Sequence, residues 1–70
     1  MLFNVGDVVM IVHRGKRKFE YPLINYEISR VYKKMFNKYT YDMIGETESG
    51  MLIKEADVPE SMLAIVKRGY

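Results

Sequence analysis

Seventy residues make one domain, residues 1–70, and no more. The apolar share of 49% is too high for a disordered chain, and no run approaches the roughly 20 apolar residues that a membrane-spanning helix needs. With no cysteine and one histidine, His13, disulfides and thiolate metal sites are excluded.

A chain this short buries only about 60% of the surface its unfolded form exposes, so stability has to come from efficient packing, self-association or a partner. The N-terminus lacks the basic, apolar and small-residue pattern of a signal peptide, and with no cysteine the expected location is cytoplasmic. The net charge of +2 is unevenly spread. Residues 13–38 hold eight Lys and Arg against Glu20 and Glu27, whereas residues 39–70 hold three basic residues against six acids. A basic middle points to an acidic partner, or to attraction between the two parts of the domain.

In chain order, Val8 to Val12 is short and β-branched, which predicts a strand; apolar residues on both of its faces predict one that is central or covered on its outer side. Gly6-Asp7 before it is turn chemistry, with the aspartate expected to accept from amides two residues on. From His13 to Asn25 the pattern dissolves into a long connection. Phe19, Tyr21, Leu23 and Ile24 are expected to fold back on the core.

Tyr26 to Tyr32 predicts a second strand with Ile28 in the core. Val31 then falls on the wrong face unless the strand bulges near Ser29-Arg30. Lys33 to Lys38 reads as a loop. Tyr39 to Gly45 reads as a third strand with Tyr39, Tyr41 and Met43 on one face. Glu46 to Gly50 is a hairpin loop with Gly50 placed for a left-handed backbone, and Met51 to Lys54 is the fourth strand. Asp57-Val58-Pro59-Glu60 has the spacing of a capping box, which would suit a helix over 58–68. Leu63-Ala64-Ile65-Val66 is also a fair strand, and a helical turn followed by a closing strand is the preferred reading.

These elements together resemble the SH3-like small β-barrels, the group that includes KOW and Tudor modules. The carrying residues are Phe3-x-Val5-Gly6-Asp7-x-Val9-x-Ile11, Ile28-x-Arg30-Val31, Tyr41-Asp42-Met43 and Ile53-x-Glu55-x-Asp57-Val58. The resemblance implies an all-β, five-stranded barrel with a long loop between strands one and two and a short helical turn before the last strand. Tyr26-Glu27-Ile28 lacks the glycine that KOW modules usually carry there. A Tudor-type cage would have to draw on Tyr26, Tyr32, Tyr39 and Tyr41.

Two basic stretches are the candidate binding sites. Arg14, Lys16, Arg17 and Lys18 precede Phe19 and Tyr21, a pattern suited to phosphates and a stacked base, or to a solvated loop. Lys33, Lys34 and Lys38 surround Phe36 beside Tyr32, where exposed Met35-Phe36 would equally suit a protein partner, unless Phe36 folds inward and leaves only the lysines outside. If the loops after strands one and two share a rim, the stretches form one patch. The tyrosines are expected to be mostly structural. Glu55, Asp57 and Glu60 lack oxygen-ligand spacing for a cation and are read as helix capping. His13 has no partner that would make it a general base, and no metal or cofactor motif is present.

The reading is therefore a non-enzymatic protein-interaction module, docking through a tyrosine-rich face or a strand edge. Its composition suits a phage or mobile-element accessory protein that binds a host protein. The alternative is a nucleic-acid-binding module that uses the basic, aromatic loops. The exposed strand edges and thin core leave homodimerisation open.

Overall fold

The structure, a computed structural model, describes residues 2–12 and 23–69, which form five antiparallel strands and no α-helix. They are β1 (Val8–Ile11), β2 (Tyr26–Lys33), β3 (Tyr39–Glu46), β4 (Leu52–Pro59) and β5 (Leu63–Lys67), in spatial order β4-β3-β2-β1-β5. A single 3-10 turn, Glu60–Met62, precedes β5. The sheet is not closed, but its all-β composition and strand order are compatible with a small barrel. No described helix is long and apolar enough to cross a membrane.

Two-residue periodicity sets the faces. Val9 and Ile11 of β1, Tyr26 and Ile28 of β2, and Tyr41 and Met43 of β3 are buried, with Phe3, Val58 and Leu63 completing the core. Each such side chain contributes about 1.5–3 kcal/mol relative to exposure. Phe3 meets Tyr41 edge to face at 5.5 Å. As expected, β1 is interior, with β2 and β5 on its two sides. The bulge expected near Ser29-Arg30 is present as a register shift between Ile28 and Arg30, and Val31 packs partly against the core. Gly50 adopts φ +88 in the loop between β3 and β4, where its amide donates to the Thr47 carbonyl.

Four expectations need correcting. The fourth strand runs on to Pro59, because β3 offers a partner as far as Thr40. Asp57 is consequently inside β4 and caps no helix: the 60–62 turn has no side-chain cap. Leu23 does not fold back but is 83% exposed, although its neighbour Ile24 does pack on the core. Asp7 turns away from the amides that follow it.

That last correction identifies the residue that ties the described ends of the chain to β1. Asp7 is 1% exposed. One carboxylate oxygen, Oδ2, accepts from the Asn4 amide at 2.9 Å and the Arg68 guanidinium at 3.1 Å; the other, Oδ1, accepts from the Gly69 amide at 2.8 Å. Arg68 also donates to the Leu2 carbonyl at 2.8 Å. A buried carboxylate is costly unless it is bonded on all sides, and here it ties both ends of the described chain to the start of β1. The amides of Asn4 and Gly69, helped by Arg68, hold its pKa below the ordinary 3.8 against the opposing effect of burial. A side chain at Gly69 has no room: its Cβ would stand 2.6 Å from the Gly6 backbone.

Because the native pKa of Asp7 is lowered, its contribution is complete above pH 3.8 and is lost as pH falls through the native value. Asp7→Asn turns an amide donor toward the Asn4 or Gly69 N–H. Its stability, followed by circular dichroism, is expected to be lower at pH 7 and to fall less steeply below pH 4 than that of the wild type. Gly69→Ala is expected to lower stability by about 1–3 kcal/mol in urea titration, since backbone rather than a mobile side chain must move.

Candidate interaction surface

The β2–β3 turn is exposed along its whole length, from Lys33 to Lys38. Lys38 donates its amide to the Met35 carbonyl at 3.3 Å, closing a four-residue turn over Met35-Phe36-Asn37-Lys38. Both central residues are left-handed, Phe36 at φ 59, ψ 34 and Asn37 at φ 58. This is the mirror-image turn that fits the twist of a hairpin, but its central positions usually hold Asn, Asp or Gly. Phe36 is instead 87% exposed, and Met35 beside it is exposed as well. An aromatic side chain thus stands in water on a backbone conformation that it disfavours.

Behind the tip, a polar network fixes the outer face of the sheet. It centres on Asp42, where both neighbouring strands shift register: β2 between Ile28 and Arg30, β4 opposite Tyr41 to Met43. The Asp42 carboxylate accepts from the Tyr32 hydroxyl at 2.9 Å and from the Asp57 amide at 3.0 Å; its carbonyl accepts from the Ser29 hydroxyl at 3.1 Å. Asp57, left-handed at φ 54, accepts from the Thr40 hydroxyl at 2.7 Å and pairs with Lys34 at 3.2 Å. Those two contacts, Thr40 first, hold the Asp57 carboxyl below its ordinary value. The Lys34 ammonium also lies 5.5 Å from the centre of the Tyr32 ring, a cation–π contact.

A cleft of about 620 Å³ runs beside the tip, lined by Lys34, Asn37, Lys38, Tyr39, Pro59, Glu60 and Ser61. Glu60 faces it with its charge already engaged. One oxygen, Oε1, accepts from the Leu2 amide at 2.9 Å and the other, Oε2, from the Tyr41 hydroxyl at 3.2 Å. Burial, and then the Glu60 charge, push the Tyr41 hydroxyl up to about 12.

Of the candidate residues, Arg14, Lys16, Arg17, Lys18, Phe19 and Tyr21 lie outside the described residues, as do His13 and Pro22. Lys33, Lys34, Phe36 and Lys38 gather, exposed, at the β2–β3 turn, and Tyr32 is half-buried behind them. The Val12 amide donates to the Met62 carbonyl at 2.8 Å, so β1 ends beside the 60–62 turn whose Ser61 borders the Lys34–Lys38 cleft. Among the described residues, neither Lys33 nor Lys38 has an acidic partner. Among the described tyrosines, Tyr26 and Tyr41 are fully buried and Tyr39 packs on the core, so most of these four are structural.

Asp42, Asp57 and Glu60 escaped the sequence reading as members of one surface. Each looked like an ordinary strand-face or capping acid, because a bulge leaves little signature in side-chain alternation. No family model matches the chain, and no curated protein or solved structure matches it either.

The raised Tyr41 pKa favours the folded state while the hydroxyl keeps its proton. That contribution is complete below pH 10, the ordinary tyrosine value, and is lost as pH rises toward about 12. Tyr41→Phe removes this alkaline loss, which urea titrations at pH 8, 10 and 11 would register. It also leaves Glu60 one donor short, so at pH 8 the variant is expected to be about 1–2 kcal/mol less stable than the wild type.

Proposed function

We propose that this chain is a non-enzymatic interaction module of SH3-like type, and that its Met35–Phe36 tip and the adjoining cleft dock on a protein partner. The strand order β4-β3-β2-β1-β5, the central bulge and the single turn before β5 support the SH3-like assignment. One observation carries the binding site: Phe36 is held outward on a left-handed turn that an Asn or Gly would adopt at lower cost. A bulky aromatic at such a position adds nothing to the core, and exposed aromatics and methionine are the side chains that interfaces favour. The Asp42 network makes the platform behind it rigid, so little ordering is lost on binding. The partner of such a module, if it serves a phage or mobile element, is a host protein.

Nucleic acid is the second reading. It is favoured by Lys33 and Lys38, which no described acid neutralises, and by the end of β1 beside the same cleft, from which the basic residues 14–18 continue. Contacts of that kind lose affinity steeply with salt.

Phe36→Asn separates the site from the fold. Asn suits the left-handed position, so stability is expected to be unchanged or to rise by up to about 1 kcal/mol. The tagged wild type and variant are compared by capture from host lysate with nuclease present. A protein retained by the wild type and lost with Phe36→Asn supports docking through the tip. Equal retention by both refutes it. Recovery that vanishes with nuclease, and falls steeply between about 50 and 200 mM salt, favours the nucleic-acid reading.

A further inference from the structure

At the neck of the β2–β3 turn two lysines stand directly opposite each other. The Lys34 amide donates to the Lys38 carbonyl at 2.6 Å, which continues the register that sets Lys33 against Tyr39. Directly opposed residues of an antiparallel pair share a face of the sheet, and like charges placed so repel. Lys34 is relieved by Asp57 at 3.2 Å. Lys38 has no such relief: among the described residues no carboxylate reaches its ammonium. Both lysines are exposed and border the cleft beside Phe36.

Donors and acceptors along that cleft are unequally used. The acids are engaged: Asp57 holds the Thr40 hydroxyl and Lys34, while Glu60 holds the Leu2 amide and the Tyr41 hydroxyl. The Lys38 ammonium, the Asn37 side-chain amide and the Ser61 hydroxyl form no hydrogen bond among the described residues. What the cleft lacks is an acceptor, and a negatively charged one answers Lys38 best. Met35 and Phe36, outward on the same turn, set an apolar surface next to it.

Resting on the reading that the tip docks on a protein, we infer that the cleft takes an acidic peptide segment of the partner. One Asp or Glu carboxylate of that segment pairs with Lys38, and a neighbouring apolar side chain packs on Phe36. Asn37 and Ser61 donate to its backbone carbonyls. The cleft favours a point acceptor over a polyanion. A row of phosphates tracking it would run from Lys38 onto the Glu60 carboxylate, where like charges meet, whereas a single carboxylate meets Lys38 alone.

A displayed library of random peptides is selected on the tagged chain, and the enriched peptides are sequenced and measured by fluorescence anisotropy. Enrichment in Asp or Glu beside an apolar residue is expected. Lys38→Gln is expected to weaken the best peptide by about threefold, and Lys38→Glu by about tenfold or more. The same peptide with its acid changed to Lys is expected to bind Lys38→Glu better than the wild type. Both variants remove the repulsion with Lys34, so their urea midpoints are expected to be no lower than the wild type's. Enriched peptides without acids overturn the inference, as do acidic ones that Lys38→Glu binds as well as the wild type. If those peptides are still lost with Phe36→Asn, docking at the tip stands. Peptides that Phe36→Asn retains overturn the docking reading as well. Failure to enrich any peptide also overturns the inference. So does tighter binding of a single-stranded oligothymidylate that Lys38→Glu abolishes, in that case in favour of nucleic acid.

Discussion

One buried carboxylate organises this domain. Asp7 gathers the amides of Asn4 and Gly69 and the guanidinium of Arg68, and Arg68 in turn holds the Leu2 carbonyl. The core alone is thin: among the described residues nine buried apolar side chains are spread over a slab 16 Å across its shortest dimension. In a domain of this size without a disulfide, a charged clasp between the chain's ends does some of what a covalent link would do. It fixes β5 against β1, and so gives Leu63 a place in the core opposite Ile11.

A second carboxylate does for the outer face what Asp7 does for the ends. Asp42 takes the hydroxyl of Tyr32 on one side and the backbone of Asp57 on the other, at the point where both adjacent strands lose register. Bulges bend strands and re-aim side chains. With both strands bent at one position, the sheet curls while Tyr41 and Met43 stay inside. Lys34, Tyr32 and the Phe36 tip then stand on a platform tied by side-chain hydrogen bonds rather than on a loose hairpin.

Much of the strand plan was legible in the sequence, for physical reasons. Val9, Ile11, Tyr41 and Met43 lie at a strict two-residue spacing, and Val31 falling out of step marked the first bulge. The second bulge was not legible. Asp57-Val58-Pro59-Glu60 carries the local chemistry of a helix start, and only the long-range pairing of Tyr41 with Val58 overrides it. Asp7 was legible as turn chemistry and misread as to partner, because Asn4 precedes it and Gly69 lies 62 residues on. At the candidate surface, Phe36 and its lysines stood out by composition. The left-handed backbone beneath Phe36 has no sequence signature, since glycine is absent where glycine would have announced it.

The clasp also bears on how such a chain comes off the ribosome. Asp7 emerges early, but two of the groups that satisfy it, Arg68 and Gly69, are made some 60 residues later. β1 likewise waits for β5 while β2 and β3, joined by a tight turn, can pair at once. Assembly during synthesis is therefore limited to the β2–β3–β4 meander. The side of β1 that pairs with β5 lacks that partner until residues 63–67 have been made, and in that interval it is open to wrong partners or to a chaperone.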